Sequence, residues 1–295
     1  MQFLQYAIDG LASGFVIALM GLGVVVIYRS TRVLTFAQGA LASFNAYLFY
    51  QLSVLWHWPV ALSFVGAVAA AVLVGVGAER LAIAPLRHAD PITRTVATLG
   101  LVLALQVGMR VIWGGDEQFV PPLVHGTLRF GSEVIGAQTL TIVGVTVAVT
   151  AALALWFRRS LTGLALAATA DNATSARLLG VSPDRVSVLS WVLASVLGAV
   201  AGILLTPLLV LNPWQMTFIM VSAYAAALIG GFVSLPLTVA GGIVIGVVRS
   251  VVTGSATTAG LSESLGFLAV FAVLAFTRLR RSQLADLLGA ERTPL

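Results

Sequence analysis

Long apolar runs dominate the chain and alternate with short polar stretches. A helix needs roughly 17–25 predominantly apolar residues to cross the hydrocarbon core of a bilayer. Runs of suitable length cover residues 11–28, 35–55, 59–78, 95–113, 140–157, 186–211 and 262–277, and a longer run covers 217–253. The pattern predicts an all-α, polytopic bundle of transmembrane helices.

The run at 217–253 is too long for one span, and Gly230, Gly231 and Pro236 interrupt it. Two membrane segments joined at 232–236 fit this pattern, with a re-entrant hairpin as the alternative. The sequence therefore predicts about eight to nine membrane segments. The polar stretches are too short for a separate folded core, so we expect residues 1–295 to form a single transmembrane domain.

Composition agrees with a lipid-facing surface, because 59% of the residues are hydrophobic and 9% are charged. A soluble domain has about 25% charged residues. All 16 basic residues are arginines, and most of them cluster between the apolar runs. Such clusters are typical of orientation signals next to membrane lipid rather than of a nucleic-acid-binding face, so no nucleic-acid partner is predicted.

Arginine-rich and acidic loops alternate along the chain. Arginines cluster at 29–32, 80–94, 158–185 and 278–281, whereas Asp9, Asp116, Glu117, Glu133 and Glu263 lie in the other loops. If the arginine-rich loops are cytoplasmic, the N-terminus is outside and the C-terminus is inside. This parity requires an odd number of crossings, which favours two segments within 217–253.

Small residues recur every four positions in three spans. The rows are Gly10, Gly14 and Ala18; Ser190, Ala194, Gly198 and Gly202; and Gly242, Gly246 and Ser250. Residues four apart lie on one helix face, and small side chains allow close helix packing in lipid. We interpret the rows as packing faces; lining a transport path is the alternative.

The residue patterns of enzymes and ATP-binding proteins are missing. The three histidines lack a neighbouring ligand at metal-binding spacing, and no nucleophile elbow is present, so neither enzymatic activity nor a metal site is predicted. A standard phosphate-binding loop needs a lysine, and the sequence contains none. No cofactor is therefore predicted on this chain.

The polar stretch at 158–185 has a distinctive local pattern. Residues 168–180 read as one short helix ending at Gly180, which suits the left-handed position after a helix. Ser182, Pro183 and Asp184 are typical of the start of the next helix. The middle of the stretch is small and polar, with Arg177 as its basic residue. This favours contact with a protein partner over contact with lipid headgroups.

Several segments in order along the chain share a further pattern. They are TFAQG at 35–39 with AY at 46–47, ERL at 79–81 with PLR at 85–87, ATLGL at 97–101 with Gln106 and Arg110, the loop at 168–180, and AAALIGG at 225–231 with SLP at 234–236. Together they resemble the permease subunits of the branched-chain amino acid ABC transporter family. The resemblance covers most of the chain.

The resemblance implies a permease of the bacterial inner membrane that moves branched-chain or related small amino acids by alternating access. It also implies three kinds of partner: cytoplasmic ATPase subunits that bind the ATP, a second permease that is homologous or identical, and a periplasmic or lipid-anchored substrate-binding protein. The residues expected to contact the ATPase are Asp171, Asn172, Ala176, Arg177, Leu179 and Gly180.

Acidic residues fall in loops or at span ends, and the candidates for buried polarity are neutral. We predict that Gln38, Asn45, Gln106 and Ser222 line the substrate pathway. Gln38 and Asn45 are seven positions apart, about two helical turns, and so share one helix face. The alternative for this pair is an interhelical hydrogen bond, which typically contributes about 1 kcal/mol or less.

A second function is left open by the sequence. Thr35, Gln38 and Asn45 stand where the family usually has other residues, which leaves the substrate undecided. The alternative to the importer is a stand-alone secondary transporter or channel for a small polar solute such as urea or a short amide.

Overall fold

The computed structural model describes residues 2–124, 126–130 and 133–253, together with Leu268. The described chain is helical apart from one short antiparallel hairpin, in which β1 (Thr127–Phe130) pairs with β2 (Glu133–Gly136). The helices are α1 (Gln2–Thr31), α2 (Ala37–Tyr50), α3 (Val60–Ala78), α4 (Pro91–Trp113), α5 (Ala137–Arg159), α6 (Leu161–Asp171), α7 (Ala173–Leu178), α8 (Pro183–Leu205), α9 (Gln215–Ile229) and α10 (Leu235–Thr253).

Short non-α turns extend three of these helices. π-helical turns follow α2 at Gln51–Leu55 and α3 at Glu79–Ile83, and 3₁₀ turns occupy Ala84–Leu86 and Thr206–Leu208. Within the described residues, six helices are long and apolar enough to cross a bilayer, and α9 is a shorter apolar helix. The predicted helical membrane bundle is confirmed, whereas the number of crossings and their orientation stay predictions. The run at 262–277 lies outside the described residues, apart from Leu268.

Helices α1 and α8 form the centre of the bundle. We compare the most apolar 18-residue window of each helix. The buried share of this window is 83% in α1 and 72% in α8, compared with 17% in α5. In α3 and α4 this share is 22% each, so most of their apolar surface faces outward. Such a surface is stable against lipid or against another membrane protein.

The first and third small-residue rows face each other across α1 and α10. A Cβ atom built on Gly10 would lie 2.7 Å from the Cα of Val247, and one on Gly14 would lie 2.9 Å from the Cα of Ile243. Residue numbers increase along α1 where they decrease along α10, so the two helices are antiparallel. The backbones of the two helices touch at these positions. Glycine therefore fits there without displacing the partner helix, whereas an added side chain would collide with it. We call this contact the α1–α10 seam; it confirms both rows as packing faces.

The second row, on α8, packs against α2. A Cβ atom built on Gly202 would lie 2.5 Å from the carbonyl oxygen of Ala42. Ser190 and Ala194 of the same row are fully buried. This row is also a packing face, and it brings the backbone of α8 within reach of polar side chains on α2.

The predicted interruption of the 217–253 run is confirmed as a tight turn between α9 and α10. Gly231 and Phe232 both adopt left-handed conformations, with φ of 60° and 55°. The amide of Phe232 donates to the carbonyl of Ala227 (2.8 Å) and that of Gly231 to Leu228 (2.9 Å). These two bonds define a Schellman motif, which lets α10 start at Leu235 and pack back against α9.

Candidate functional site

The segment that joins α5 to α8 folds as two short helices, so the prediction of one helix is wrong. Ser160 caps α6 by accepting a hydrogen bond from the amide of Gly163 (2.9 Å). α6 ends at Asp171, and Asn172 takes an extended conformation with φ −153° and ψ 103°. The Asn172 side chain then accepts a bond from the amide of Ser175 (3.0 Å) and so begins α7. An asparagine side chain that accepts a hydrogen bond from a nearby backbone amide interrupts a helix. This capping role of Asn172 was not predicted from the sequence.

α7 ends where the sequence predicts, at Gly180. This residue has a φ of 84°, in the left-handed region. The amide of Val181 donates to the carbonyl of Ala176 (3.0 Å), and that of Gly180 donates to Arg177 (3.0 Å). The pair of bonds is a second Schellman motif, which sets the direction of the chain as it leaves α7. Ser182 occupies the N-cap position of α8 as predicted, although its side chain makes no capping bond within the described part of the chain.

This region, which we call the α6–α7 segment (residues 160–182), exposes both apolar and polar side chains. Leu178 and Leu179 expose 85% and 82% of their surface, whereas Ala176 exposes 2%. Asn172, Arg177 and Gly180 are also exposed. Two adjacent, almost fully exposed leucines at the end of a six-residue helix indicate a surface that another molecule covers. Leu178 is absent from the residues predicted for this contact, although the Leu-Leu pair is visible in the sequence.

An arginine connects the end of α3 to the start of α8, just after the α6–α7 segment. The Nη1 atom of Arg87 lies 2.8 Å from Oδ2 of Asp184 in the first turn of α8, and its Nη2 lies 3.4 Å from Oε1 of Glu79. Glu79 is fully buried, which a carboxylate tolerates when it is paired. The first turn of α8 is therefore attached to α3 by charge as well as by packing.

Gln38 and Asn45 lie buried between α2 and α8. The Nε2 atom of Gln38 donates to the carbonyl of Ala194 (2.9 Å), and the Nδ2 atom of Asn45 donates to Oγ of Ser195 (3.2 Å). Both side chains thus make interhelical hydrogen bonds, the alternative considered for this pair. Their oxygens, Oε1 and Oδ1, have no hydrogen-bond partner among the described residues. Buried acceptors of this kind usually bind water or a ligand, so their role in a pathway stays a prediction.

The other two predicted pathway residues lie on α4 and α9. Gln106 of α4 is buried, and its Nε2 atom donates to Oγ1 of Thr217 on α9 (3.2 Å). Ser222 is buried in α9. Two of the four residues therefore contact α8, Gln106 contacts α9, and Ser222 is part of α9 itself.

A cavity of about 370 Å³ opens between α1, α5, α9, α10 and the 3₁₀ turn after α8. Arg249, inside the apolar window Leu235–Val252 of α10, lines it. Arg249 is half-buried, and it is a charged residue that is absent from the predicted pathway residues. An arginine within the long apolar run was the signal, and it is visible in the sequence.

The described helices form a polytopic apolar bundle, and the family comparison shows that its class is a membrane transport permease. The chain belongs to the family described as branched-chain amino acid transport system / permease component, whose model matches residues 6–277. The resemblance noted in the sequence is thereby confirmed.

Relatives with related names agree with this assignment. The chain is 30% identical over 264 residues to the high-affinity branched-chain amino acid transport system permease protein LivH of Escherichia coli K12, covering 85% of this chain and 86% of that protein. It is 29% identical over 263 residues to the corresponding protein BraD of Pseudomonas aeruginosa, covering 84% and 86%. A probable LivH of Methanocaldococcus jannaschii is 27% identical over 247 residues, covering 80% and 77%.

One solved structure shares the fold. It is described as PsaBC from Streptococcus pneumoniae in complex with Fab, and it aligns over 94% of this chain and 91% of that chain. The TM-score is 0.51 at 13% sequence identity, so the likeness concerns the fold alone.

Proposed function

We propose that this chain is the permease subunit of an ABC importer in a bacterial inner membrane. Separate ATPase subunits bind ATP on the cytoplasmic side and drive alternating access of the bundle. Branched-chain or related small amino acids are the proposed substrates, because the names of the relatives LivH and BraD specify such transport. Residues 1–295 form one membrane domain of about eight to nine segments, with the N-terminus outside and the C-terminus in the cytoplasm.

The observation that carries the proposal is the exposed leucine pair at the end of α7. Leu178 and Leu179 are 85% and 82% exposed, next to the exposed Arg177. An apolar pair beside a positive charge fits a groove with an acidic rim on a protein, and much less well a lipid surface, which favours several basic residues. An ATPase subunit is the partner that this family requires.

The structure supplies a physical route from this contact to the bundle. Gly180 and Val181 close α7 onto the start of α8, and Arg87 connects that start to α3. Since α8 is largely buried, a push on α7 would move a helix that packs against α1, α2 and α3. The backbone of α8 also carries the hydrogen-bond partner of Gln38, so its motion would change contacts at the proposed pathway.

Two further partners belong to the proposal. A second permease, homologous or identical, covers part of the outward apolar face of α3 and α4, and lipid covers the rest. A periplasmic or lipid-anchored binding protein delivers the substrate. In this importer the ATPase contact comprises Asp171, Asn172, Arg177, Leu179 and Gly180, extended by Leu178, and the predicted contact residue Ala176 is buried beneath them.

The decisive experiment compares two exposed leucines of equal accessibility. Leu179→Asp is expected to abolish co-purification of the ATPase subunits and ATP-dependent uptake. Leu81→Asp is the matched control, because Leu81 is 83% exposed but lies in the turn after α3. Equal ATPase recovery with wild type and Leu179→Asp would contradict the proposed contact.

A stand-alone transporter or channel for urea or short amides is the second candidate. The buried oxygens of Gln38 and Asn45, which have no hydrogen-bond partner in the described part of the chain, favour it, since they offer acceptors to a neutral amide. If the purified chain alone moves solute into liposomes without ATP, this second candidate replaces the importer.

Cysteine labelling tests the pathway residues, and the chain contains no native cysteine. Gln38→Cys and Asn45→Cys are expected to react with a membrane-impermeant maleimide in at least one state of the transport cycle. Complete protection in nucleotide-free, ATP-bound and vanadate-trapped complexes would remove both residues from the pathway.

A further inference from the structure

The turns after α3 and the start of α8 enclose a second cavity, with a volume of about 530 Å³. This volume lies within the range found for ligand pockets, roughly 300–1,000 Å³. The polar residues that line the cavity are Arg80, Arg87, Asp184 and Arg185, and the apolar ones are Ala84, Val188, Leu189 and Val192. Three arginines beside an aliphatic wall fit a ligand with a negative charge at one end and an apolar chain at the other.

Two of the three arginines offer their charge to a ligand. Arg87 is paired with Asp184 and with the buried Glu79. The guanidinium groups of Arg80 and Arg185 make no ion pair or hydrogen bond with the described part of the chain, and both residues are exposed. Like charges around one cavity repel each other, so an anion between Arg80 and Arg185 would lower the electrostatic energy.

The cavity lies at the ends of two apolar helices. The candidate membrane span Val60–Leu86 ends here, and the span Pro183–Leu208 begins here. Arg185, Leu189 and Val192 are four and three positions apart, so they share one face of α8. Along this face the charge comes first, and the apolar side chains lie deeper in the span. A phospholipid has the same order, with its charged headgroup at the membrane surface and its acyl chains below.

Arg185 and Leu189 also line a third cavity, of about 200 Å³, beside the α6–α7 segment. The other residues that line this third cavity are Thr162, Ala165, Val181, Ser182 and Val186. A ligand bound to Arg185 would therefore contact α8 and lie next to the α6–α7 segment.

We propose that the second cavity binds an anionic membrane phospholipid, with the phosphate on Arg80 and Arg185 and an acyl chain along Leu189 and Val192. A guanidinium is suited to a phosphate because its N–H donors form parallel bonds to two oxygens. Basic pockets between membrane helices bind lipid headgroups in this way. A free phosphate would use the arginines but not the aliphatic wall. The inference goes beyond the proposed transport function, since it concerns the chain alone.

Native mass spectrometry of the delipidated full-length chain tests this site. The probes are dioleoyl phosphatidylglycerol and dioleoyl phosphatidylcholine, which have the same acyl chains and differ in net charge. Wild type is expected to bind phosphatidylglycerol at least about 10-fold more tightly. Arg80→Gln and Arg185→Gln are each expected to weaken phosphatidylglycerol binding about fivefold, and the double variant about 30-fold. Binding of phosphatidylcholine is expected to change less than about threefold in these variants.

Three controls separate a specific site from general attraction between charges. Replacing Arg158 and Arg159 by glutamine removes two exposed arginines in the last turn of α5, outside both cavities, and should preserve the preference. Replacing Arg80 and Arg185 by lysine keeps the charges and should retain most of it. sn-Glycerol 3-phosphate lacks the acyl chains and should bind at least about 100-fold more weakly than phosphatidylglycerol. Thermal unfolding verifies that each variant is folded.

Four outcomes overturn the lipid site. They are equal binding of both phospholipids by wild type, an unchanged preference in the Arg80→Gln and Arg185→Gln double variant, an equal loss in the α5 control, and tight binding of glycerol 3-phosphate. The last outcome would indicate a site for soluble anions. ATPase co-purification with the same variants reports separately on the proposed function. Loss of the ATPase with an unchanged lipid preference would assign Arg80 and Arg185 to the protein contact instead.

Discussion

Small residues have different roles in the α1–α10 seam and in the α6–α7 segment. In the seam, glycines face each other across two long helices, and an added methyl group would collide with backbone. In the segment, small residues surround a pair of leucines that are more than four-fifths exposed. The packing of the seam is thus complete within the chain, whereas the leucine pair of the segment is exposed and, in the proposed importer, is covered by an ATPase subunit.

This difference separates stability from function. A substitution in the seam acts on the free energy of unfolding, since it changes packing that the folded chain already has. A substitution on the outer face of the segment leaves that packing unchanged, so its effect should appear in an assay that includes the partner. The following changes are ordered by their expected effect on stability.

Gly246→Ala should have the largest effect. Glycine backbones of α1 and α10 meet here, so the added methyl group forces the helices apart and costs about 1–3 kcal/mol. Thermal unfolding in detergent should show a clear fall in the midpoint. The matched control is Gly144→Ala on α5, where no described atom lies within 4 Å of a built Cβ; this change should be neutral or slightly stabilising. Equal midpoints for the two variants would contradict the seam.

Arg87→Ala should destabilise the chain by about 1–3 kcal/mol at most, because it leaves the buried Glu79 carboxylate without its cation. The exposure of Arg87 reduces this cost, since water can reach the vacated position. Adding Glu79→Gln to Arg87→Ala should recover part of the loss, as a neutral amide is cheaper to bury. A double variant less stable than Arg87→Ala would indicate that Glu79 has another partner.

Gly180→Ala should cost about 1 kcal/mol, because alanine is disfavoured in the left-handed conformation that closes α7. No described atom lies within 4 Å of a built Cβ, so crowding contributes nothing further. Gly180→Asn should cost less, as asparagine tolerates this conformation better. Urea titration of the three proteins gives the order, and a reversed order would exclude backbone strain as the cause.

Leu178→Asp should have the smallest effect on stability, within about 0.5 kcal/mol, because the side chain is exposed. In the same variant, ATPase recovery should fall to background. Ala176→Asp provides the contrast, since Ala176 is buried under the turn and its change should destabilise the fold as well. A Leu178→Asp protein with a normal ATPase content would remove Leu178 from the proposed contact.

Patterns that depend on neighbours along the chain were predictable from the sequence. The glycine break at 230–236, the left-handed Gly180 and the four-residue rows of small residues all follow from local chemistry, and each appears in the structure. Which row meets which other row is not local information. The contact between positions 10–18 and 242–250 depends on how α1, α8 and α9 pack. This packing cannot be read from the pattern of a single sequence.

Two local features were nevertheless misread. Asn172 breaks a helix that its alanine-rich surroundings favour, because its side chain captures the amide of Ser175. Arg249 lies inside an apolar run, and the run was used to predict a membrane span while the charge was not considered. A single charge within a membrane span is more informative about function than its apolar neighbours. Residues that violate the surrounding pattern are therefore the first ones to consider as candidate sites.

The seam also bears on biosynthesis. The two helices of the seam are separated by about 230 residues in the chain. Contacts between residues so far apart in the sequence form slowly during folding. At a synthesis rate of about 5–20 residues per second, α10 leaves the ribosome roughly 10–50 s after α1. During that interval the glycine row of α1 lacks its partner in the membrane. We therefore expect the insertion machinery or neighbouring nascent helices to shield α1, and the bundle to close when the tenth helix arrives.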